Sequence, residues 1–100
     1  MATAIGRDTK QPREVLDYDV DFGDWMPSGD YLDGAQVNVR WLSGPQDTPL
    51  AVHEVQNTRT VVKVWLSGGA SGARYRVELR AATMGGRLRE VEFDISVREI

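Results

Sequence analysis

The sequence predicts an all-β protein, an immunoglobulin-like antiparallel β-sandwich of six to seven strands. In the segment 60–83, apolar residues recur at every second position on both sides of a glycine-rich stretch, residues 67–72. Short apolar runs recur along the chain at intervals of roughly ten residues, with glycine or proline between them, as is typical of such sandwiches. Because alternate side chains of a strand point to opposite faces, each run has one apolar face, which a second layer must cover.

Composition sets limits on the class of protein. A chain of 100 residues with 41% hydrophobic residues is long enough for one domain with a modest core. It contains no cysteine, which excludes disulfides and thiolate metal sites and fits a reducing cytosol. A net charge of -3 gives no electrostatic reason to expect a nucleic-acid partner. No apolar run approaches the ~20 residues that span a bilayer, and the N-terminus lacks a signal peptide's apolar stretch, so we expect no membrane partner.

The first third of the chain predicts an arm, a strand and a bend. Residues 1–12 are small or polar and end at a proline, which predicts a flexible or extended N-terminal arm followed by the sandwich domain, residues 13–100. The alternation of apolar and acidic residues over 18–22 predicts the first strand of that domain. A bend follows over residues 25–30, and we expect Trp25 to plug one end of the core.

The middle of the chain predicts two further strands. One lies within residues 31–42, where we expect Trp41 on the core face and a bulge or break at Gly34. Residues 43–49 contain two prolines and predict an exposed loop. Residues 50–55 predict a short strand with weak alternation.

The last two strands predict a hairpin whose register follows from parity. In both strands of this hairpin, the residues expected to face the core have odd numbers, so two directly opposed residue numbers must add up to an even number. The connecting loop must therefore have an odd number of residues or a bulge. Either register places Arg76 and Arg80 opposite the acidic run 90–94. Such exposed cross-strand pairs are worth roughly 0.2 to 1 kcal/mol each.

A structural corner is predicted before Tyr75. This tyrosine opens a strand directly after a turn that contains Gly69 and Gly72, as in the tyrosine corner, where the hydroxyl bonds to backbone a few residues upstream. The glycine run is not a phosphate cradle, because it lacks the Gly-Lys-Ser/Thr ending and a following helix.

No catalytic, cofactor-binding or metal-binding residue is predicted. His53 is the only histidine and has no cysteine or second histidine as a metal partner, so we interpret it as a surface strand residue. The acidic run 17–24 has Phe22 where a calcium loop of the EF-hand type needs glycine. The serines lack a base, which leaves no basis for an enzyme.

Val61 and Trp65 are the sequence's candidates for a contact patch. They fall on the strand face opposite the core residues of the same run, and an exposed tryptophan is unusual away from interfaces. The alternative is that the second sheet or the N-terminal arm covers them.

Three blocks resemble a family of small proteins encoded in the structural-gene clusters of tailed phages and prophages. These are LDYDVDFGDWMPSGDYL at 16–32, VVKVWLSGGASGARYRVEL at 61–79 and EFDISVRE at 92–99. The family pattern has a tryptophan where Phe22 stands. The resemblance implies an immunoglobulin-like virion protein, made in the host cytoplasm, that decorates the head or belongs to a fibre or the head-tail region.

Two functional hypotheses follow from the resemblance. The first is a non-enzymatic structural protein that docks on capsid, fibre or neck subunits through an edge strand, the arm or the apolar patch, with a homotrimer as one possible assembly. The alternative is a glycan- or host-surface-binding module, in which Trp25, Tyr31 and the loop 43–49 form a sugar platform.

Overall fold

The computed structural model describes residues 2–99, with side chains described for residues 6–99. All regular structure in this part of the chain is β-strand, and within it no helix is long and apolar enough to cross a membrane. The strands are β1 (Ala2–Lys10), β2 (Leu16–Asp21), β3 (Leu32–Ser43), β4 (Leu50–Asn57), β5 (Val61–Gly68), β6 (Arg74–Thr83) and β7 (Leu88–Val97).

The strands form two sheets, in the orders β1-β7-β6-β3 and β2-β5-β4. This confirms the predicted sandwich. One pair departs from the predicted antiparallel arrangement, because β1 runs parallel to β7. The first strand therefore lies in the sheet of the third, sixth and seventh strands, whereas in constant-type immunoglobulin domains it lies in the other sheet.

The segment expected to form an arm supplies β1. Its backbone pairs with β7 up to Lys10, opposite Val97. The described side chains before Lys10 are exposed, whereas Lys10 itself is buried. The division of the chain at residue 13 stays a prediction.

The core lies between the two sheets and consists of the alternate apolar residues of the strands. Val62, Val64 and Leu66 of β5 face Val77 and Leu79 of β6, and all five are fully buried or nearly so. The predicted alternation of faces on these strands is confirmed. The remaining buried apolar residues are Val20, Phe22, Met26, Leu32, Leu50, Ala70, Ala73, Tyr75, Ala81, Val91, Phe93, Ile95 and Val97.

The β6–β7 hairpin has the odd loop length that parity requires. Thr83 N–H donates to the Arg87 carbonyl at 2.9 Å, which leaves residues 84–86 in the loop. In the resulting register, Arg76 Nε lies 2.8 Å from Asp94, and Arg80 pairs with Glu90. The predicted charge pairs are therefore formed.

The interpretation of Trp41 as a core residue is wrong, since 41% of its surface is exposed. It shares the core-facing side of β3, but β3 is an edge strand and the opposite sheet has only three strands. That sheet leaves the end of β3 uncovered, and the indole Nε1 donates to the Gly44 carbonyl at 3.2 Å. The predicted irregularity at Gly34 is confirmed by a register shift between Leu32 and Gly34.

Lys10 is a buried cation bound by backbone carbonyls. Its Nζ donates to the carbonyl oxygens of Gly68 at 2.7 Å and Gln11 at 2.8 Å, with Pro12 at 3.4 Å. Burial lowers the pKa of the Lys10 ammonium, and the nearby charge of Glu14 opposes this. The side chain ties the end of β1 to the end of β5.

A candidate docking surface at one end of the sandwich

Three connections meet at one end of the sandwich, those between β2 and β3, β4 and β5, and β6 and β7. Backbone hydrogen bonds join them directly. Leu32 N–H donates to the Arg59 carbonyl at 2.8 Å, and Met84 N–H donates to the Tyr31 carbonyl at 3.0 Å. Because each connection is bonded to another, the end forms one continuous surface.

Asp30 fixes the β2–β3 connection against the β6–β7 hairpin. Its carboxylate accepts from Gly85 N–H at 2.9 Å and from Arg87 Nη1 at 3.0 Å. Only 6% of the Asp30 side chain is exposed. The hydrogen bond with the Thr83 hydroxyl, followed by those with backbone N–H groups and Arg87, lowers the pKa of the Asp30 carboxyl. The carboxylate is therefore charged at neutral pH and holds the two loops together.

Exposed apolar groups are concentrated on this rigid end. Tyr31 is 38% exposed, Met84 56% and Leu88 67%. Trp25 is half-buried, as expected for a residue that closes the core, and its ring packs edge-on against Phe22 with centroids 6.0 Å apart. The end thus presents apolar area in side chains whose backbone is fixed.

Two arginines lie over the aromatic rings. The Arg59 guanidinium carbon lies 5.3 Å from the centre of the Tyr31 ring, and that of Arg89 lies 5.9 Å from the Trp25 ring. Neither arginine has a carboxylate within 4.0 Å among the described side chains, whereas Arg76, Arg80 and others on the sheet face are paired. We call this surface the loop-end platform. It consists of Trp25, Tyr31, Arg59, Met84, Leu88 and Arg89.

Two residues of the loop-end platform are among the contact candidates that the sequence predicts. Trp25 and Tyr31 were candidate contact residues, and the structure brings them to the same end. Met84 and Leu88 were not identified, although apolar residues beside the turn glycines of a hairpin have no core to enter and are a usable signal. Arg59 and Arg89 could not be identified, because only the tertiary fold places them over the rings.

Val61 and Trp65 lie elsewhere, on the outer face of the three-stranded sheet, and both are half-buried. Trp65 Nε1 donates to Gln56 Oε1 at 3.2 Å, and the Lys63 ammonium lies 6.0 Å from the indole ring. We call the depression beside it, of about 270 Å³, the Trp65 patch. It is lined by Val15, His53, Glu54, Gln56 and Trp65.

The corner residues lie at the opposite end of the molecule from the platform. The Tyr75 hydroxyl accepts from Ala70 N–H at 2.9 Å and donates to the Thr48 carbonyl at 2.8 Å. Gly69 and Gly72 both have positive φ, 97° and 91°. These hydrogen bonds are those of a tyrosine corner.

The sugar platform expected from Trp25, Tyr31 and the loop 43–49 is not assembled. The loop follows β3, which is 12 residues long and starts next to Tyr31. At about 3.3 Å per residue, such a strand carries the chain to the far end of the sandwich. The loop contacts the corner there, since Gly69 N–H donates to the Pro49 carbonyl.

Comparison with solved structures finds the same architecture in a protein of unrelated sequence. The cysteine protease inhibitor EhICP2 from Entamoeba histolytica superposes with a TM-score of 0.52 at 11% sequence identity, over 97% of this chain and 93% of that chain. At that identity the similarity shows the fold alone. Comparison with curated protein sequences finds no match.

Comparison with protein families is decisive. The family described as podophage GP4 fiber-tail adaptor protein gp77 matches residues 10–97. The match includes the whole sandwich from Lys10 onward and agrees with the phage resemblance of the three sequence blocks. The chain therefore belongs to the gp77 family of podophage fiber-tail adaptor proteins, and is a structural protein of the phage virion that is made in the host cytoplasm.

Proposed function

We propose that this protein is a non-enzymatic adaptor that joins a tail protein to a fibre protein of the virion, and that the loop-end platform is one of its two docking surfaces. The observation that carries the proposal is the concentration of exposed Tyr31, Met84 and Leu88 on an end of the sandwich that Asp30 and backbone hydrogen bonds make rigid. Interfaces bury apolar anchors of this kind at their centres.

The platform's arginines indicate the chemistry of the partner. Tyrosine, tryptophan and arginine are the residue types that contribute most to binding energy at protein interfaces. Arg59 and Arg89 are held over the rings without a carboxylate partner among the described side chains. A partner surface with apolar side chains at its centre and carboxylates at its rim is complementary to this arrangement.

An adaptor needs a second surface for its second partner. The Trp65 patch is the best candidate, because it contains Val15, an exposed apolar side chain, beside the half-buried indole. It lies on a sheet face, whereas the platform lies at a loop end. The two surfaces can therefore be occupied at the same time.

Binding measurements with the tail and fibre proteins of the same phage test the proposal. Leu88→Glu on the platform and Val15→Glu on the patch each change one exposed side chain. Each variant is expected to weaken binding to one partner by about tenfold or more and to leave the other unchanged. Gln46→Glu, an exposed change in the β3–β4 loop, is the matched control.

Two results would contradict the proposal. The first is unchanged affinity for both partners in both variants. The second is absence of the protein from purified particles analysed by mass spectrometry. Its copy number there also distinguishes the positions, since hundreds of copies would indicate a head protein and a small number the tail or fibre region.

A further inference from the structure

The sandwich has four edge strands, and three of them carry features that prevent pairing with another strand. β2 presents an aspartate at every second position, Asp17, Asp19 and Asp21. β1 has a register shift between Ala4 and Arg7, and β4 has one between Val52 and Glu54. Charged side chains and bulges are the usual protection of an exposed edge.

The register shifts of β3 lie only at its ends, between Leu32 and Gly34 and between Trp41 and Ser43, so they leave the middle of this edge regular. β3 has 12 residues, about twice the common length of a strand, and it pairs with β6 without interruption from Gly34 to Trp41. Over residues 34–42 the only charged side chain is Arg40, and there is no proline. Its other edge has no strand partner in the described part of the chain. A long regular edge of this kind is a template for strand addition.

We propose that the β3 edge pairs with the β3 edge of a second copy of this chain, antiparallel, with the two-fold axis at Asn38. A two-fold interface must be complementary to itself. With the axis at Asn38, Val37 of one copy lies opposite Val39 of the other. On the outer face, Gln36 lies opposite Arg40. No like charges are opposed.

The same register covers the exposed indole. Trp41 lies opposite Ala35, a small side chain, so the indole that the facing sheet leaves uncovered gains a neighbour across the new pair. Moving the axis to Val37 would place Trp41 opposite Asp33 instead. Moving it to Val39 would place Trp41 opposite Val37, with less room for the ring. The inference is independent of the partners proposed for the platform and the patch.

A charge-swap experiment on the full chain tests the pairing and its register. Asn38 is exposed, so replacing it should leave the fold intact. Sedimentation equilibrium of the unmodified chain over about 10 to 500 µM is expected to show a monomer–dimer equilibrium. Asn38→Lys and Asn38→Asp each place like charges opposite each other at the axis. Each should weaken the dimer by about fivefold.

An equimolar mixture of the two variants tests the register most directly, because in a mixed dimer lysine lies opposite aspartate at the axis. The mixture is expected to dimerise more tightly than either variant alone. Gln46→Lys, outside the pair, should dimerise like the unmodified chain. A chain that is monomeric at every concentration would overturn the proposal. So would a dimer that Asn38→Lys leaves unchanged, or a mixture no tighter than its components. Thermal unfolding of each variant shows whether a loss of dimer affinity is caused by misfolding.

Discussion

The Tyr75 hydroxyl donates a hydrogen bond of 2.8 Å to the Thr48 carbonyl, and this bond ties β6 to the loop before β4. The same hydroxyl accepts from the buried Ala70 N–H. Tyr75→Phe removes both bonds, and we expect it to lower the free energy of unfolding by about 1 to 3 kcal/mol, measured by urea unfolding at pH 7. Tyr31→Phe removes the hydroxyl of an exposed tyrosine and is the control. It should change the free energy of unfolding by less than about 0.5 kcal/mol. Equal effects of the two changes would contradict the structural role of the corner.

Tyr18 shows the opposite case, a hydroxyl that is buried without a hydrogen-bond partner among the described residues. Burial, followed by the charges of Asp8, Glu14 and Asp17, raises the pKa of Tyr18 to about 12 from its ordinary 10.0. The folded protein therefore holds this proton more tightly than the unfolded chain. Stability should fall as the pH rises from about 10 toward 12.

Tyr18→Phe is expected to raise the free energy of unfolding at pH 7 by about 1 kcal/mol, because a buried unsatisfied hydroxyl is removed. It should also reduce the loss of stability above pH 10, which urea titrations at a series of pH values measure. A variant that is less stable than the unmodified chain would contradict the interpretation of this hydroxyl as unsatisfied.

Lys10 gives a second pH dependence of known sign. Because burial lowers its pKa, the unfolded chain binds this proton more tightly than the folded one. Its contribution to stability should therefore increase as the pH rises through the folded pKa toward 10.5, the ordinary value. Lys10→Met keeps the aliphatic length and removes the titration.

The measured quantity for Lys10 is the difference in free energy of unfolding between the unmodified chain and Lys10→Met, followed from pH 7 upward. Taking the difference cancels the opposing titration of Tyr18. We expect the stability of the unmodified chain to rise relative to that of Lys10→Met as the pH rises. A difference that is constant with pH would show that the Lys10 pKa is not shifted by folding.

Gly69 requires the absence of a side chain. It has a φ of 97°, and a Cβ there would lie 2.7 Å from Val97 Cγ2. Gly69→Ala should lower the free energy of unfolding by about 1 to 3 kcal/mol, measured by urea unfolding. Gly29→Ala is the matched control, because Gly29 also has a positive φ, 89°, and no atom lies within 4 Å of a Cβ there. In a Val97→Ala background the cost of Gly69→Ala should be smaller, and an equal cost in both backgrounds would exclude the steric contact.

Asp30 should make the stability of the platform depend on acid pH. Its carboxyl pKa is lowered by the Thr83 hydroxyl first and then by the N–H groups and Arg87, so its stabilisation is present above the ordinary value of 3.8 and is lost as the pH falls through the folded pKa. Asp30→Asn is expected to lower the melting temperature at pH 7 and to have little effect at pH 2. Asp47→Asn, in an exposed loop, should change neither. If Asp30→Asn lowered the melting temperature equally at pH 7 and at pH 2, the charge of Asp30 would not be the cause of the stabilisation.

The strands and the last hairpin could be predicted from the sequence, because their signals are local. The alternation at Val62 and Val77 sets which face is buried, and parity sets the loop length before Leu88. It was wrong for Trp41, because alternation assigns a side chain to a face but does not show whether another layer covers that face. The parallel partner of residues 2–10 could not be predicted either, since small polar residues favour no particular neighbour.

By itself, the sequence determined the strand positions, the sorting of side chains into two faces, the hairpin register and, through its three blocks, the phage family. These follow from spacing along the chain, because a strand repeats every two residues wherever it lies. Only the tertiary structure decided that Arg59 and Arg89 lie over Tyr31 and Trp25, and that β3 lies at a sheet edge that is regular from Gly34 to Trp41. Those relationships join residues far apart in sequence, so they depend on how the two sheets are stacked and where each sheet ends.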